Sequence, residues 1–441
     1  MFTKILVANR GEVAVRIIRA CKEMGVETVA VYSEVDKNSL PAALADERIC
    51  IGGNRAVQSY LNQQNIISAA LATNAGAIHP GYGFLSENAE FAALCEENGI
   101  VFIGPKSDVI RKMGDKDSSR QLMQEIGVPV VPGTEILKDV GEAKQAAAEI
   151  GYPLLVKATA GGGGKGIRVV WSADELEEAF LTASAEAESA FGNGDVFLEK
   201  YLNQVRHVEM QILADHFGHM VCLGERDCSL QLNKQKVLEE TPCPIMTEEI
   251  RWKMMDAAMK AARAAQYTNA GTVEFLLAPD GAFYFIEMNT RLQVEHPITE
   301  EISDVDIVKW QIRIACQIPL DFTQNDIDLK GHAIECRINA RSTGRIDFLH
   351  VPGGARVHFD TALIQGMAVV PFYDSMLGKL IVYGNDRETA IRKMESALCE
   401  MVIHGVETNI DDQLKLIRSG RFQKGEYDTL ILPDILTGGS E

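Results

Sequence analysis

The opening of the chain narrows the choice of fold more than any later stretch. Phe2 to Ala8 is a short, largely apolar run closed by Asn9, Arg10 and Gly11, and it reads as a buried strand. Val13, Ile17, Cys21 and Met24 then recur at helical spacing, with Arg16, Arg19 and Lys22 on the opposite face and Gly25 as a stop. Thr28 to Tyr32 reads as a second strand. Strand, helix, strand in that order calls for a parallel sheet, because parallel neighbours need a crossover between them. Apolar runs at 77–79 and 101–103 extend it, so the chain up to about residue 105 reads as one doubly wound α/β domain. Its first strand-to-helix turn, Asn9-Arg10-Gly11-Glu12, lacks GxGxxG, which argues against a dinucleotide. His79-Pro80-Gly81-Tyr82-Gly83 is either an ordinary turn or a ligand loop at a strand's C-terminal end.

Residues 130–200 read as a separate unit, entered through Pro129, Pro132 and Gly133. Strands are expected at 154–158, 167–170 and 196–200, with a helix at 173–190. Between the first two strands runs Lys157-Ala-Thr-Ala-Gly161-Gly162-Gly163-Gly164-Lys165-Gly166. Consecutive glycines let backbone N–H groups approach phosphate oxygens, and a lysine on each side adds charge. The spacing is not that of a P-loop, since no Ser- or Thr-led helix follows. A two-residue period at 207–213 opens the next unit.

Thr272–Leu277 and Ala282–Asn289 flank Ala-Pro-Asp-Gly and read as a hairpin. With its centre between Pro279 and Asp280, Glu274 faces Phe285, and Glu274, Glu287 and Asn289 share a face. Diagonal cross-strand neighbours lie within ~7–8 Å. Two carboxylates and an amide oxygen at that range suit Mg²⁺ shared with substrate phosphates. Arg291, Gln293 and Glu295 alternate just beyond: a planar fork for an anion, a polar orienter and a base. Together they suggest attack of a small oxyanion on a phosphoryl group. Glu225 to Gln231, followed by Lys234 and Lys236, interleaves charged and polar residues and reads either as a solvated loop or as part of this site.

A formal net charge of −19 disfavours nucleic acid and anionic membranes as partners. Nine cysteines without CxxC spacing argue against a zinc site or disulfide framework, and for a reducing compartment. Cys228 reads as a small buried hydrophobe. No signal-like or membrane-length apolar segment occurs, so the cytoplasm is the expected location.

The chain resembles the biotin carboxylases over nearly its whole length. The motifs that carry the resemblance are ANRGE (8–12), HPGYGFLSEN (79–88), MGDK (113–116), KATAGGGGKGIR (157–168), EKYL (199–202), HVE-Q (207–211), ERDCSLQ (225–231), EMNTRLQVEHP (287–297), ECRINA (335–340) and YDSMLGKL (373–380). The resemblance implies an N-terminal α/β domain at 1–113, an ATP-grasp domain at 114–329 with a mobile lid near 131–201, and a mixed C-terminal domain at 330–441. It implies ATP at Lys116 and Lys157, with Gly163 and Gly164 on the triphosphate. Adenine would sit at the hinge Glu199, Lys200 and Leu202, and the ribose at His207, with Gln231 and Lys234 completing the nucleotide site. Glu274, Glu287 and Asn289 would hold Mg²⁺ or Mn²⁺. Lys236, Arg291, Gln293 and Val294 would bind bicarbonate, Glu295 would deprotonate it, and Arg337 would stabilise the biotin enolate. A biotin carboxyl carrier protein, carboxyltransferase subunits and a second copy of the chain are the implied partners.

Some segments depart from the family. Gln231-Leu232-Asn233-Lys234-Gln235-Lys236 stands where Gln-Arg-Arg-His-Gln-Lys is usual. Arg341 to Gly344 follows Ala340 directly, where the family usually carries a longer loop. Arg16, Arg19 and Glu23 match a region used in family dimers, whereas 354–358 differs. Ala258-Met259-Lys260 imitates a biotin-attachment sequence but lies in a helical pattern. Two other readings are an ATP-grasp ligase joining a carboxylate to an amine, and a nucleotide-binding paralogue without catalysis.

Overall fold

The computed structural model describes residues 1–158, 167–191 and 193–438. The glycine run, with Gly163 and Gly164, lies outside the described residues. Two compact units are present: one of residues 1–128, 206–275 and 287–441, the other of 129–205 and 276–286.

In the first unit the expected parallel sheet forms from β1 (Lys4–Val7), β2 (Glu27–Ser33), β3 (Glu47–Gly52), β4 (Ala77–His79) and β5 (Val101–Phe102), in the order β3-β2-β1-β4-β5. The central strand is buried on both faces, which is why it reads as a continuous apolar run. The helix Gly11–Glu23 returns the chain, packing Val13, Ile17 and Cys21 inward while Arg19 stays exposed.

The second unit holds the antiparallel sheet of β6 (Leu154–Ala158), β7 (Ile167–Val170) and β8 (Val196–Lys200), ordered β7-β6-β8. Helices Val140–Ile150 and Ala173–Phe191 cover it, with Ala143, Ala147, Leu176 and Phe180 on Leu154, Val156 and Leu198.

Next along the chain come β9 (Arg206–Ala214), β10 (Met220–Leu232), β11 (Gln235–Thr241), β12 (Asn269–Leu277), β13 (Phe283–Asn289) and β14 (His332–Asn339). Further strands are β15 (Gly344–Arg345), β16 (Phe348–His350), β17 (Val357–Thr361), β18 (Ala368–Val369), β19 (Met376–Gly384) and β20 (Val402–His404). Eight of them form one large sheet in the order β13-β12-β9-β10-β11-β14-β19-β17. Two small pairs, β15 with β18 and β16 with β20, stand apart from it.

The solvated-loop alternative for Glu225–Gln231 is corrected: these residues lie within β10, with Glu225, Arg226, Asp227 and Ser229 all buried. The expected centre of the β12–β13 turn is also corrected. The Ala278 amide donates to the Ala282 carbonyl at 2.8 Å and Gly281 N–H to Ala278 O at 3.0 Å, so the turn is centred on Asp280. Gly281, at φ +84°, supplies the extra left-handed residue of a three-residue loop.

The substituted segment 232–234 lies in a two-residue hairpin turn. Asn233 and Lys234 both have positive φ, at 52° and 65°, and Leu232 pairs with Gln235. The short segment after Ala340 is tied down as well: Ala340 N–H donates to Ser375 O and Arg341 N–H to Glu407 O, each at 2.8 Å. Lys260 lies within the helix Glu248–Ala264, ion-paired with Asp256 at 2.7 Å. Among the described residues, no helix is long and apolar enough to cross a membrane.

Candidate active site

Strands β9, β10 and β11 present ionisable side chains to each other, because alternate residues of adjacent strands share a face. At the centre is Lys236 on β11. Its Nζ donates to Glu295 Oε1 at 2.6 Å, Glu209 Oε2 at 2.7 Å and Glu274 Oε1 at 3.1 Å. Burial opposes a charged lysine here, but these three carboxylates, with Cys228, keep its proton affinity well above normal.

Arg226 fixes the geometry from below. Fully buried, it donates to Glu209 at 2.5 Å, Gln211 Oε1 at 2.8 Å, Thr299 Oγ1 at 2.9 Å and Thr272 Oγ1 at 3.2 Å. A buried guanidinium is tolerable only when its donors are paired. That requirement locks β9, β10, β12 and the helix His296–Ser303 around one point.

Glu295 sits at the N-terminal edge of that helix and is wholly buried. Arg337 Nη2, on β14, donates to Glu295 Oε2 at 3.0 Å, and Arg337 Nε to Glu239 Oε1 at 2.6 Å. Burial disfavours the Glu295 carboxylate, yet Lys236, Arg337 and Arg226 outweigh it and hold the group well below the usual range. Cys228 Sγ lies 3.6 Å from Glu295 Oε1, and burial pushes its thiol well up. It is therefore an inert filler in a polar surrounding.

Arg291 donates from Nε to Glu87 at 2.7 Å and from Nη2 to Asn289 Oδ1 at 3.0 Å. Its Nη1 reaches Gln293 Oε1 at 3.2 Å, and Gln293 Nε2 donates to Glu274 Oε1 at 3.1 Å. Val294 offers its carbonyl to Lys379 Nζ at 2.6 Å. Asn289 Nδ2 donates to Glu274 Oε1 at 2.8 Å, so these two share a face.

His207 Nδ1 faces Gln231 Nε2 at 2.8 Å, and its Nε2 lies 2.8 Å from Glu274 Oε2, close but poorly aligned for a hydrogen bond. Burial opposes the Glu274 carboxylate, but Lys236 and His207 outweigh it and hold the group well below the usual range. Glu287 is raised instead, by burial and then by the charge of Glu274, with Lys116 Nζ 4.0 Å away. By donor chemistry alone, the Glu274 and Glu287 carboxylates and the Asn289 amide oxygen are the residues here that would suit a divalent cation.

Lys157 and Glu199 form an ion pair inside the second unit. Lys200 Nζ donates to the carbonyls of Gly151 and Tyr152, each at 3.1 Å, and Leu202 is half-buried beyond β8. Lys234 is exposed at its turn. In the first unit, therefore, Lys236, Glu274, Asn289, Arg291, Gln293, Glu295, Arg337, His207 and Gln231 form one continuous network.

Sequence reasoning assigned no role to Glu87, Glu209, Arg226, Glu239 or Lys379. Each lies in or beside a segment singled out by its pattern, but the partner that reveals its role is distant in the chain. Arg16, matched to a family dimer region, is half-buried on Glu300 and Asp306, at 3.0 and 2.8 Å. Glu23 of the same region pairs with Lys309 at 2.6 Å.

Family comparison agrees with the architecture. "Biotin carboxylase, N-terminal domain" matches residues 1–110 and "Biotin carboxylase C-terminal domain" matches 335–434. "Carbamoyl-phosphate synthase L chain, ATP binding domain" matches 115–323. Biotin carboxylase 1 of Bacillus subtilis is 52% identical over 98% of both chains. The biotin carboxylase of Nostoc is 51% identical, over 98% of this chain and 99% of that one. The Campylobacter jejuni biotin carboxylase structure, a complex with β,γ-ATP, superposes with a TM-score of 0.91 at 45% identity, over 99% of each chain. The biotin carboxylase domain dimer of Hydrogenobacter thermophilus 2-oxoglutarate carboxylase, solved with MgADP, ADP and bicarbonate, gives 0.90 at 48% identity, also over 99% of each. With its doubly wound N-terminal sheet, its ATP-grasp core and these full-length likenesses, the chain belongs to the biotin carboxylase family of ATP-dependent ligases.

Proposed function

We propose that the chain carboxylates biotin held on a carrier protein, using ATP and bicarbonate through carboxyphosphate. The observation that carries this reading is the buried Lys236–Glu295–Arg337 constellation, in which one carboxylate is gripped by two cations. Such a carboxylate holds a proton weakly while its cations face it. An arriving bicarbonate would draw Lys236 and Arg291 toward itself, and Glu295 would gain basicity as it loses the charge of Lys236.

In this reading Lys236, Arg291, Gln293 and Val294 bind bicarbonate and Glu295 takes its proton. The resulting dianion attacks the γ-phosphoryl group of ATP, giving carboxyphosphate and ADP. Carboxyphosphate breaks down to CO₂ and phosphate, the phosphate takes the ureido proton of biotin, and the enolate, facing Arg337, attacks CO₂. Lys116, Lys157, Gly163, Gly164 and Lys234 would contact the nucleotide's phosphates, and Glu199, Lys200, Leu202, His207 and Gln231 its adenosine. Glu274, Glu287 and Asn289 would hold Mg²⁺ or Mn²⁺, which when bound neutralises phosphate charge. We also assign the three domains to 1–113, 114–329 and 330–441, with the lid near 131–201.

Homodimerisation, a biotin carboxyl carrier protein and carboxyltransferase subunits complete the proposal. The final acceptor belongs to the carboxyltransferase. Acetyl-CoA, on the route to malonyl-CoA and fatty acids, is our first choice; relatives named for pyruvate and 2-oxoglutarate mark the alternatives.

The test is ADP release with Mg²⁺, ATP and bicarbonate, with and without free biotin. Biotin-stimulated turnover that vanishes without bicarbonate is expected. ATP cleavage that depends on an amine and ignores bicarbonate and biotin would overturn the reading in favour of another ATP-grasp ligase.

A further inference from the structure

Glu239 on β11 and Glu335 on β14 stand directly opposite each other in antiparallel register. Directly paired residues place their Cβ atoms about 4.5–5.5 Å apart on the same face of the sheet. Both carboxyl groups are completely buried. Glu239 Oε1 accepts from Arg337, but among the described residues Glu239 Oε2 and both oxygens of Glu335 have no hydrogen-bond partner. Three unpartnered oxygens on two facing acids, sealed from water, make an arrangement that two full negative charges cannot occupy.

The other charges facing Glu335 are Arg337 on its own strand, Lys379 on β19, Glu239 on β11 and Glu295 at the start of the helix His296–Ser303. Lys379 is itself engaged by the Val294 carbonyl and lies 3.4 Å from Glu12. Arg337 is committed to Glu239 and Glu295. Both cations oppose protonation of Glu335 from a distance, but neither hydrogen-bonds to it.

We infer that Glu239 and Glu335 share one proton, and that this proton positions Arg337 for the substrate. With the proton present, Arg337 meets one negative charge on the sheet side and Glu295 on the other, and its guanidinium is held between them. Without it, a second buried charge beside Glu239 draws the guanidinium into the sheet and away from the substrate side. Glu239 and Glu335 are thus positioning residues that act through Arg337. The inference rests on the proposed placement of Arg337 at biotin.

Burial raises the proton affinity of both groups, Glu335 the more strongly; at Glu335 the charges of Glu239 and Glu295 add to it against Lys379 and Arg337, and at Glu239 that of Glu295 adds to it against Arg337 and Lys236. The pair then keeps its proton to higher pH than an ordinary carboxyl and ionises fully only as pH rises.

Infrared spectroscopy in heavy water tests the proton directly, since a protonated carboxyl absorbs apart from a carboxylate. At neutral pH the wild-type protein shows a protonated band that Glu335→Gln lacks. Identical spectra in that region overturn the shared proton, whether or not the protein carboxylates biotin. The link to Arg337 is read from the pH profile of biotin-dependent ADP release. The alkaline limb of Glu335→Gln lies about one pH unit or more above that of the wild type. Coincident limbs overturn the positioning role. Should Glu335→Gln fail to fold, the wild type alone decides: the protonated band and the rate must be lost over the same pH range, and loss over separate ranges overturns the link.

Discussion

Glu239 and Glu240 are consecutive on β11, yet their surroundings are opposite. Alternation sends them to the two faces of one sheet. Glu240 is saturated: it meets His332 at 2.6 Å, Arg387 at 2.7 and 2.9 Å, and the Tyr427 hydroxyl at 2.5 Å. Burial opposes its charge, but the hydrogen bonds from His332 and Arg387 win and bring its pKa down to about 2. Glu239 accepts from one cation, Arg337, and among the described residues has an unpartnered oxygen and a second acid opposite. Equal burial therefore gives opposite proton affinities, and the difference lies in how completely each carboxylate is paired. The satisfied face holds the C-terminal region together, while the unsatisfied face borders the residues proposed for chemistry.

The largest effect is expected at Glu295, on the Glu239 face of the sheet. Glu295→Gln removes the proposed base and should lower both bicarbonate-dependent ATP cleavage and biotin carboxylation by on the order of 10²–10⁴-fold. Intact bicarbonate-dependent cleavage would remove it from that role. Arg337→Ala comes next. Biotin carboxylation should collapse while bicarbonate-dependent ATP cleavage largely survives; equal loss of both would refute the division of labour.

On the Glu240 side the expected effects are on stability. Glu240→Gln leaves Arg387 and His332 without their anion and should cost about 3 kcal/mol, read as a lower urea midpoint. Turnover per folded molecule should be little moved, and a stability matching the wild type would show that the cluster contributes nothing. The smallest effect is its pH dependence. A carboxyl depressed in the folded state stabilises above its ordinary pKa, and that stability is lost as pH falls. From an ordinary value of 4.5 to about 2 in the fold, on the order of 1 kcal/mol should be gone by about pH 4. Urea titrations of wild type and Glu240→Gln should converge by that amount on acidification, and parallel curves would contradict it.

Much of this was legible in the sequence because it was periodic. The apolar run of β1, the helical spacing from Val13 to Met24 and the alternation of β9 all emerge where expected. The charged stretch of β10 was not, because hydropathy cannot see that Arg226 is offset in hydrogen bonds by Glu209, Gln211, Thr272 and Thr299. The Arg291–Gln293–Glu295 alternation pointed to an anion and a base, but not to Glu87, whose bond to Arg291 joins positions 204 residues apart. The β12–β13 turn was displaced because a single left-handed glycine adds a residue that composition alone does not count.

Strand β11 is joined to β14 by a ladder from Leu238–Cys336 to Thr241–Ala333, which carries the large sheet across residue 330 without a break. A nascent chain that stops short of β14 would thus display an open hydrogen-bonding edge along β11. Until the last quarter of the protein is synthesised, that edge is a template for any extended segment nearby, and the arrival of β14 is what closes it.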